Sequence, residues 1–204
     1  VINSQYPEYS SIISLDGSAL FFTSKQPWGG DTSVNYVSPE DGQYPDDIYI
    51  SYLEGNSWTK PKRLSLNTPQ NNEATISINI GQRRIYTYSD STGRGDIYYS
   101  DFENNNFSQP KFLEIPGVNT EKFWEPSIYF TEDGKTVYFT SDREGGYGGR
   151  DIYFCEKQSN GSWSEPKNMG PAINTKYDED APFESVDGKT FYYASNNEKS
   201  IGGF

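Results

Sequence analysis

The tripeptide Asp-Ile-Tyr stands at 47–49, 96–98 and 151–153, at intervals of 49 and 55 residues. Behind each copy come an aromatic residue and then a proline: Trp58 with Pro61, Phe107 with Pro110, Trp163 with Pro166. Ahead of each, an acidic residue precedes a turn by eight positions, Glu8 to Asp16, Glu73 to Gly81, Glu125 to Asp133 and, a fourth time, Glu179 to Asp187. A strand-like stretch follows every turn: Leu20-Phe21-Phe22, Ile85-Tyr86, Val137-Tyr138-Phe139 and Phe191-Tyr192-Tyr193. Four repeats begin and three finish. A tandem period of about fifty residues restricts the fold to supersecondary units that stack on one another.

Each unit reads as four short strands. In the third, Pro126 to Thr131 is the first strand, Asp133-Gly134 a tight hairpin, and Lys135 to Thr140 the second strand. A glycine loop leads to the third strand, Asp151 to Lys157, and Asn160-Gly161 turns the chain into the fourth, Ser162 to Lys167. The residue vocabulary agrees, since aromatics make up 16% of a chain that is only 33% hydrophobic, and large rings build a core from few positions. One such sheet cannot bury both faces alone. The expectation is therefore an all-β fold, a β-propeller of four-stranded antiparallel blades, with about three and a half blades in this chain. The blade repeats run over 5–67, 70–119, 122–174 and 176–204, the last incomplete, within a single propeller segment spanning 1–204. Ile2-Asn3-Ser4 matches Ile173-Asn174-Thr175, and Gly202-Gly203-Phe204 matches Gly148-Gly149-Arg150. Both ends thus fall inside the repeat, and a longer parent chain is expected to supply the missing strands and further blades.

Charge removes several classes of function. A formal net charge of −12 with no Lys/Arg cluster disfavours nucleic acid and anionic membrane surfaces as partners. No run reaches the ~20 apolar residues of a membrane helix. Histidine is absent, which removes the commonest general base and transition-metal ligand, and the lone Cys155 reads as a small buried hydrophobe. No cofactor, metal site or catalytic residue is expected.

Asp-Gly-Lys-Thr-Val-Tyr-Phe-Thr-Ser-Asp-Arg at 133–143, Gly-Gly-Arg-Asp-Ile-Tyr at 148–153, Gly-Ser-Trp-Ser-Glu-Pro-Lys-Asn-Met-Gly at 161–170, Ile-Asn-Thr at 173–175 and Tyr-Asp-Glu-Asp-Ala-Pro-Phe at 177–183 carry a family likeness. Together they resemble the TolB-like propeller repeats of Bacteroidetes envelope proteins. In that family such repeats accompany tetratricopeptide and OmpA-like peptidoglycan-binding modules, including an OmpA-family component of the type IX secretion and gliding machinery. The resemblance covers nearly the whole chain. It implies a periplasmic or outer-membrane-associated location and envelope proteins as partners, with glycan or peptidoglycan as a further ligand class. The second repeat departs from the pattern, with Gly81-Gln82 replacing Asp-Gly and a short loop Thr92-Gly93-Arg94-Gly95, and the first carries a long insertion.

The glycine loop Gly-Gly-Tyr-Gly-Gly-Arg-Asp at 145–151 looks like a ligand loop but lacks the context for one. Calcium nonapeptides need copies nine residues apart, and phosphate-cradling loops open a helix, whereas this one opens a strand. Its glycines serve a strand connection, and Asp151, like Asp47 and Asp96, is expected to accept hydrogen bonds from loop amides.

Hairpin parity nevertheless gives the loop a location. In an up-and-down blade the second-to-third-strand loop and the linker to the next blade share one face. That face collects Arg143, Tyr147 and Arg150, the linker residues Phe123, Trp124, Tyr177 and Asp178, and the insertion Lys25 to Asp46 with Trp28, Tyr36 and Tyr44. The candidate binding residues are Trp28, Tyr36, Tyr44, Trp124, Arg143, Tyr147, Arg150 and Tyr177, because exposed aromatics with arginines are the usual anchors of recognition. The leading expectation is a non-catalytic interaction scaffold of a bacterial envelope protein. A carbohydrate- or peptidoglycan-binding propeller is the alternative. A propeller glycoside hydrolase with paired carboxylates ranks third, because the acids recur at repeat-equivalent positions while catalysis requires asymmetry.

Overall fold

The computed structural model describes residues 2–14, 16–28, 36–39, 41–79, 83–93, 95–104 and 106–200. Gly81-Gln82, Arg94, part of the first-repeat insertion and the terminal Gly202-Gly203-Phe204 lie outside the described residues. Every regular element described is a β-strand. The first sheet holds β1 (Glu8–Ile13), β2 (Ala19–Ser24), β3 (Asp47–Glu54), β4 (Ser57–Trp58) and β5 (Lys62–Arg63). The second holds β6 (Glu73–Asn79), β7 (Arg84–Ser89), β8 (Asp96–Glu103), β9 (Asn106–Phe107) and β10 (Lys111–Phe112). The third is β11 (Ile128–Phe130), β12 (Thr136–Ser141), β13 (Asp151–Glu156) and β14 (Lys167–Asn168), and the fourth is the pair β15 (Glu179–Glu184) and β16 (Phe191–Ser195).

In the third sheet the register runs antiparallel, with Phe139 opposite Ile128 and Tyr153, and Ser141 opposite Asp151. Alternation sends Val137 and Phe139 into full burial, each stabilising the fold by about 1.5–3 kcal/mol relative to exposure.

The last strand of each repeat is not one continuous strand. Ser162 to Lys167 reduces to an isolated bridge between Lys157 and Trp163 followed by β14, and the first two sheets show the same break between β4 and β5 and between β9 and β10. Pro61, Pro110 and Pro166 stand in the breaks, where a residue without an N–H cannot donate to the ladder. A hydroxyl just after the aromatic residue fills in: Thr59 Oγ1 accepts from the Tyr52 amide at 2.9 Å, Ser108 Oγ from Asp101 at 3.1 Å and Ser164 Oγ from Glu156 at 3.0 Å.

By internal contacts the chain divides into two compact units, Val1–Gly93 with Tyr98–Lys111, and Arg94–Ile97 with Phe112–Phe204. In the first unit, Ala19, Phe21, Ile50, Leu66 and Ile85 form a buried cluster covered by Leu64, Ile78 and Phe107. In the second, the rings of Tyr129 and Phe183 meet at 5.0 Å and those of Tyr138 and Phe191 at 4.9 Å, while Tyr138 donates to Glu184 Oε2 at 2.8 Å.

Candidate functional site

A repeated polar frame fixes the loops before any of them is free to bind. Asn67, Asn119 and Asn174 each clamp the isoleucine of an Asp-Ile-Tyr triplet. The Asn67 amide oxygen accepts from the Ile48 amide at 2.7 Å while its nitrogen donates to the Ile48 carbonyl at 2.9 Å, and Asn119 does the same to Ile97 at 2.7 and 2.8 Å. The next residue serves the repeat glutamate. Thr68, Thr120 and Thr175 donate through both backbone amide and hydroxyl to Glu73, Glu125 and Glu179, which also accept from Ser89, Ser141 and Ser195.

All three glutamates are buried. Burial pushes the Glu73 carboxyl up to about 7, against the pull of the Thr68 hydrogen bonds. Glu125 is also raised by burial, but the Arg143 guanidinium sits 3.3 Å away and opposes the rise. In the second repeat Ser91 stands at the sequence position that matches Arg143. These carboxylates are held by their own repeats, and burial raises Cys155 to about 11, which leaves its thiol protonated at neutral pH. Among the described residues no group of three or more Asp, Glu, Cys or His could hold a metal ion.

The Asp-Ile-Tyr aspartates differ in their partners. Asp151 accepts from the loop amides of Tyr147 at 2.6 Å and Gly148 at 3.1 Å, and from Asn168 Nδ2 at 2.7 Å. Asp47 does not follow that pattern: its carboxylate pairs with Arg63 Nε at 3.0 Å. Arg63 stands opposite Tyr49 as Asn168 stands opposite Tyr153, so a cation has replaced an amide at one ladder position. Burial raises the Asp47 carboxyl to about 6 and Arg63 opposes it.

In the second unit, five of the eight candidate binding residues gather around the glycine loop. Trp124 is 37% exposed and Tyr147 51% exposed. The Trp124 amide donates to Asp142 Oδ1 at 2.7 Å, and its ring lies over the Arg150 guanidinium at 5.0 Å. Arg150 pairs with Asp178 at 3.7 Å and Asp180 at 3.2 Å, while its backbone amide donates to Asp178 Oδ1 and its carbonyl accepts from the Glu179 amide, both at 2.9 Å. A side chain at Gly148 would strike the carbonyls of Tyr177 and Thr175, so the loop lies directly on the Tyr177 linker. Tyr177 is half-buried, its hydroxyl 3.3 Å from Glu198. Arg143 lies deeper than the others: it donates to the Gly117 carbonyl and sits against the rings of Phe139 and Tyr153. The exposed aromatics here are thus Trp124, backed by Arg150, and Tyr147, whose amide is held by Asp151, while Arg143 packs inward.

In the first unit, the remaining three separate by role. Trp28 stacks on Arg63 at 4.7 Å, and Arg63 also donates to the Gln26 and Pro27 carbonyls and to the Tyr49 hydroxyl. Tyr36, 42% exposed, and Tyr44 line a cleft of about 470 Å³ with Lys25, Asp41, Asp46, Asn72, Tyr88 and Asp90. Tyr44 packs edge-on to Tyr6 at 6.0 Å. The asparagine clamp and the Asp180 anchor were not singled out from sequence, and Asp178 was placed on this face only as a linker residue. The signal for the clamp was the Asn-Thr pair at 67–68, 119–120 and 174–175, with its threonine four or five residues before the glutamate that follows.

Solved structures match nearly the whole chain. A TolB from Acinetobacter baumannii aligns with a TM-score of 0.60 at 18% identity over 98% of this chain and 40% of that one. A protein described as a TolB from Agrobacterium tumefaciens aligns at 0.58 and 17% identity over 93% and 54%, and a prolyl endopeptidase at 0.53 and 12% over 91% and 23%. The chain spans about half the length of the Agrobacterium protein and less of the other two. At these identities the likeness is one of fold: an all-β, TolB-like β-propeller architecture. No family model and no curated protein matches the sequence.

Proposed function

We propose that this chain is a non-catalytic protein-interaction module of a bacterial cell-envelope protein, at work in the periplasm or at the outer membrane, with its four sheets as consecutive propeller blades. The resemblance of its repeats to those of OmpA-family secretion and gliding components supports the same scaffold role. One observation carries the reading. Trp124 and Tyr147 are exposed aromatics on a loop and linker pinned by Asp142, Asp151 and the Arg150–Asp178–Asp180 pairs. Aromatic anchors held in place before binding lose little entropy on docking, the property of interaction hot spots. The self-satisfied repeat glutamates support the non-catalytic reading, since a general acid or base needs a reachable proton.

A photo-cross-linking residue at Tyr147 in living cells tests this. A discrete adduct with an envelope protein is expected, and none from the same residue at Asn160, in the short turn at the other end of the third sheet. Equal adducts from both positions, or none from either, contradict the proposal.

The Tyr36 and Tyr44 cleft favours glycan as a second ligand class, because tyrosine rings beside carboxylates and an amide are the groups that bind sugars. Binding on a glycan or peptidoglycan-fragment array that is lost in Tyr44→Ala supports it, and an array without signal contradicts it.

A further inference from the structure

Function breaks the symmetry of repeats, and the first unit contains one break that the aromatic loop face does not include. A cavity of about 490 Å³ opens between the first two sheets at the end carrying their short turns. Its walls are apolar: Phe21, Ile50, Ile78, Ile85 and Phe107. Its size falls within the range of small-molecule sites, roughly 300–1,000 Å³. Arg83 and Arg84 stand at its edge.

The arginines arise where the second repeat departs from the others. In the third repeat the turn aspartate Asp133 holds Lys135 at 3.3 Å, and in the fourth Asp187 holds Lys189 at 3.8 Å. Arg83 occupies the same turn position, but Gly81 stands where the aspartate belongs. Among the described residues Arg83 forms no ion pair, and its guanidinium lies over the Phe102 ring at 5.4 Å. Arg84 is neutralised instead, with Nε 2.7 Å from Asp101 Oδ1. On the facing turn, Asp16 is engaged by Ser14 and Ser18, which donate three hydrogen bonds to its Oδ1. The repeat has therefore lost an anion and kept a cation beside an apolar pit. Arg83 also holds a positive φ of 51°, a conformation costly for any residue but glycine.

We propose that this cavity binds a small amphipathic carboxylate, its apolar body against Phe21, Ile78 and Phe107 and its carboxylate on the Arg83 guanidinium. Charge and shape support it together: a guanidinium fork matches a carboxylate, and the pit offers an apolar tail a dry surface.

Calorimetric titration of the purified chain with octanoate, 1-octanol and octylamine, followed by amide shift mapping, tests it. Octanoate is expected to bind once per chain and to shift Ile78 and Ile85, with octanol about tenfold weaker and octylamine weaker still. Arg83→Gly relieves the positive φ, so its melting temperature should hold while octanoate falls to the affinity of octanol. Absence of octanoate binding, equal affinity for octanoate and octanol, preference for octylamine, or unchanged octanoate binding in Arg83→Gly each overturns the proposal.

Discussion

Asn174 closes a two-way hydrogen-bond pair with the backbone of Ile152, its Oδ1 accepting from the amide at 2.8 Å and its Nδ2 donating to the carbonyl at 2.9 Å. The asparagine belongs to the linker and the isoleucine to β13, so a side chain substitutes for a neighbouring strand at the point where the ladder ends. Asn174→Ala leaves the buried Ile152 amide unpaired and the carbonyl with only the Met169 amide, 3.0 Å away. The expected loss is about 1–3 kcal/mol in urea denaturation. A loss below about 0.5 kcal/mol contradicts the clamp.

Glu73 gives the first unit a pH dependence. Burial pushes the folded-state carboxyl up to about 7 from its ordinary 4.5, so the folded chain holds this proton more tightly than the unfolded one. The stabilisation is complete below about pH 4.5 and is lost as pH rises towards 7. Asp47, raised to about 6, acts in the same direction in a lower window. Between pH 5 and pH 8, Glu73→Gln should reduce the fall in unfolding free energy by about 1–2 kcal/mol relative to the parent chain. An identical slope in both proteins contradicts burial as the cause.

Asp151→Ala removes the acceptor for Tyr147 and Gly148 and should cost about 1–3 kcal/mol. Gly148→Ala, by steric conflict with the Tyr177 and Thr175 carbonyls, should displace the loop without removing any hydrogen-bonding group. Amide exchange at Tyr147 should accelerate in both variants. Unchanged exchange contradicts the loop being held by these contacts.

The repeat itself was legible because strands, hairpin turns and the Asp-Ile-Tyr triplet each leave a short-range pattern. Glu8 to Asp16 and its counterparts located the paired first strands, and β12 and β13 lie within a residue of their expected bounds. The interrupted last strand was less legible, since Pro166 marks a break only if one knows that Ser164 replaces the missing ladder bond from its side chain. Burial of Arg143 was also hidden, because an arginine beside glycines reads as exposed until Glu125, eighteen residues away, draws it inward. Arg83 shows the opposite case: its isolation follows from the glycine at 81, visible in sequence, but the apolar pit beside it comes from two sheets meeting.

The aromatic loop is the surface on which the proposed function depends. Once cross-linking at Tyr147 has identified the envelope partner, its affinity for purified variants is the direct measurement. Trp124→Ala with Tyr147→Ala should weaken binding by at least about tenfold, the loss typical of truncating hot-spot aromatics. Asn160→Ala with Lys135→Ala, exposed at the opposite end of the third sheet, should leave it unchanged. Equal weakening by the two pairs, or an unaltered affinity in the aromatic pair, contradicts the assignment of this face as the interaction surface.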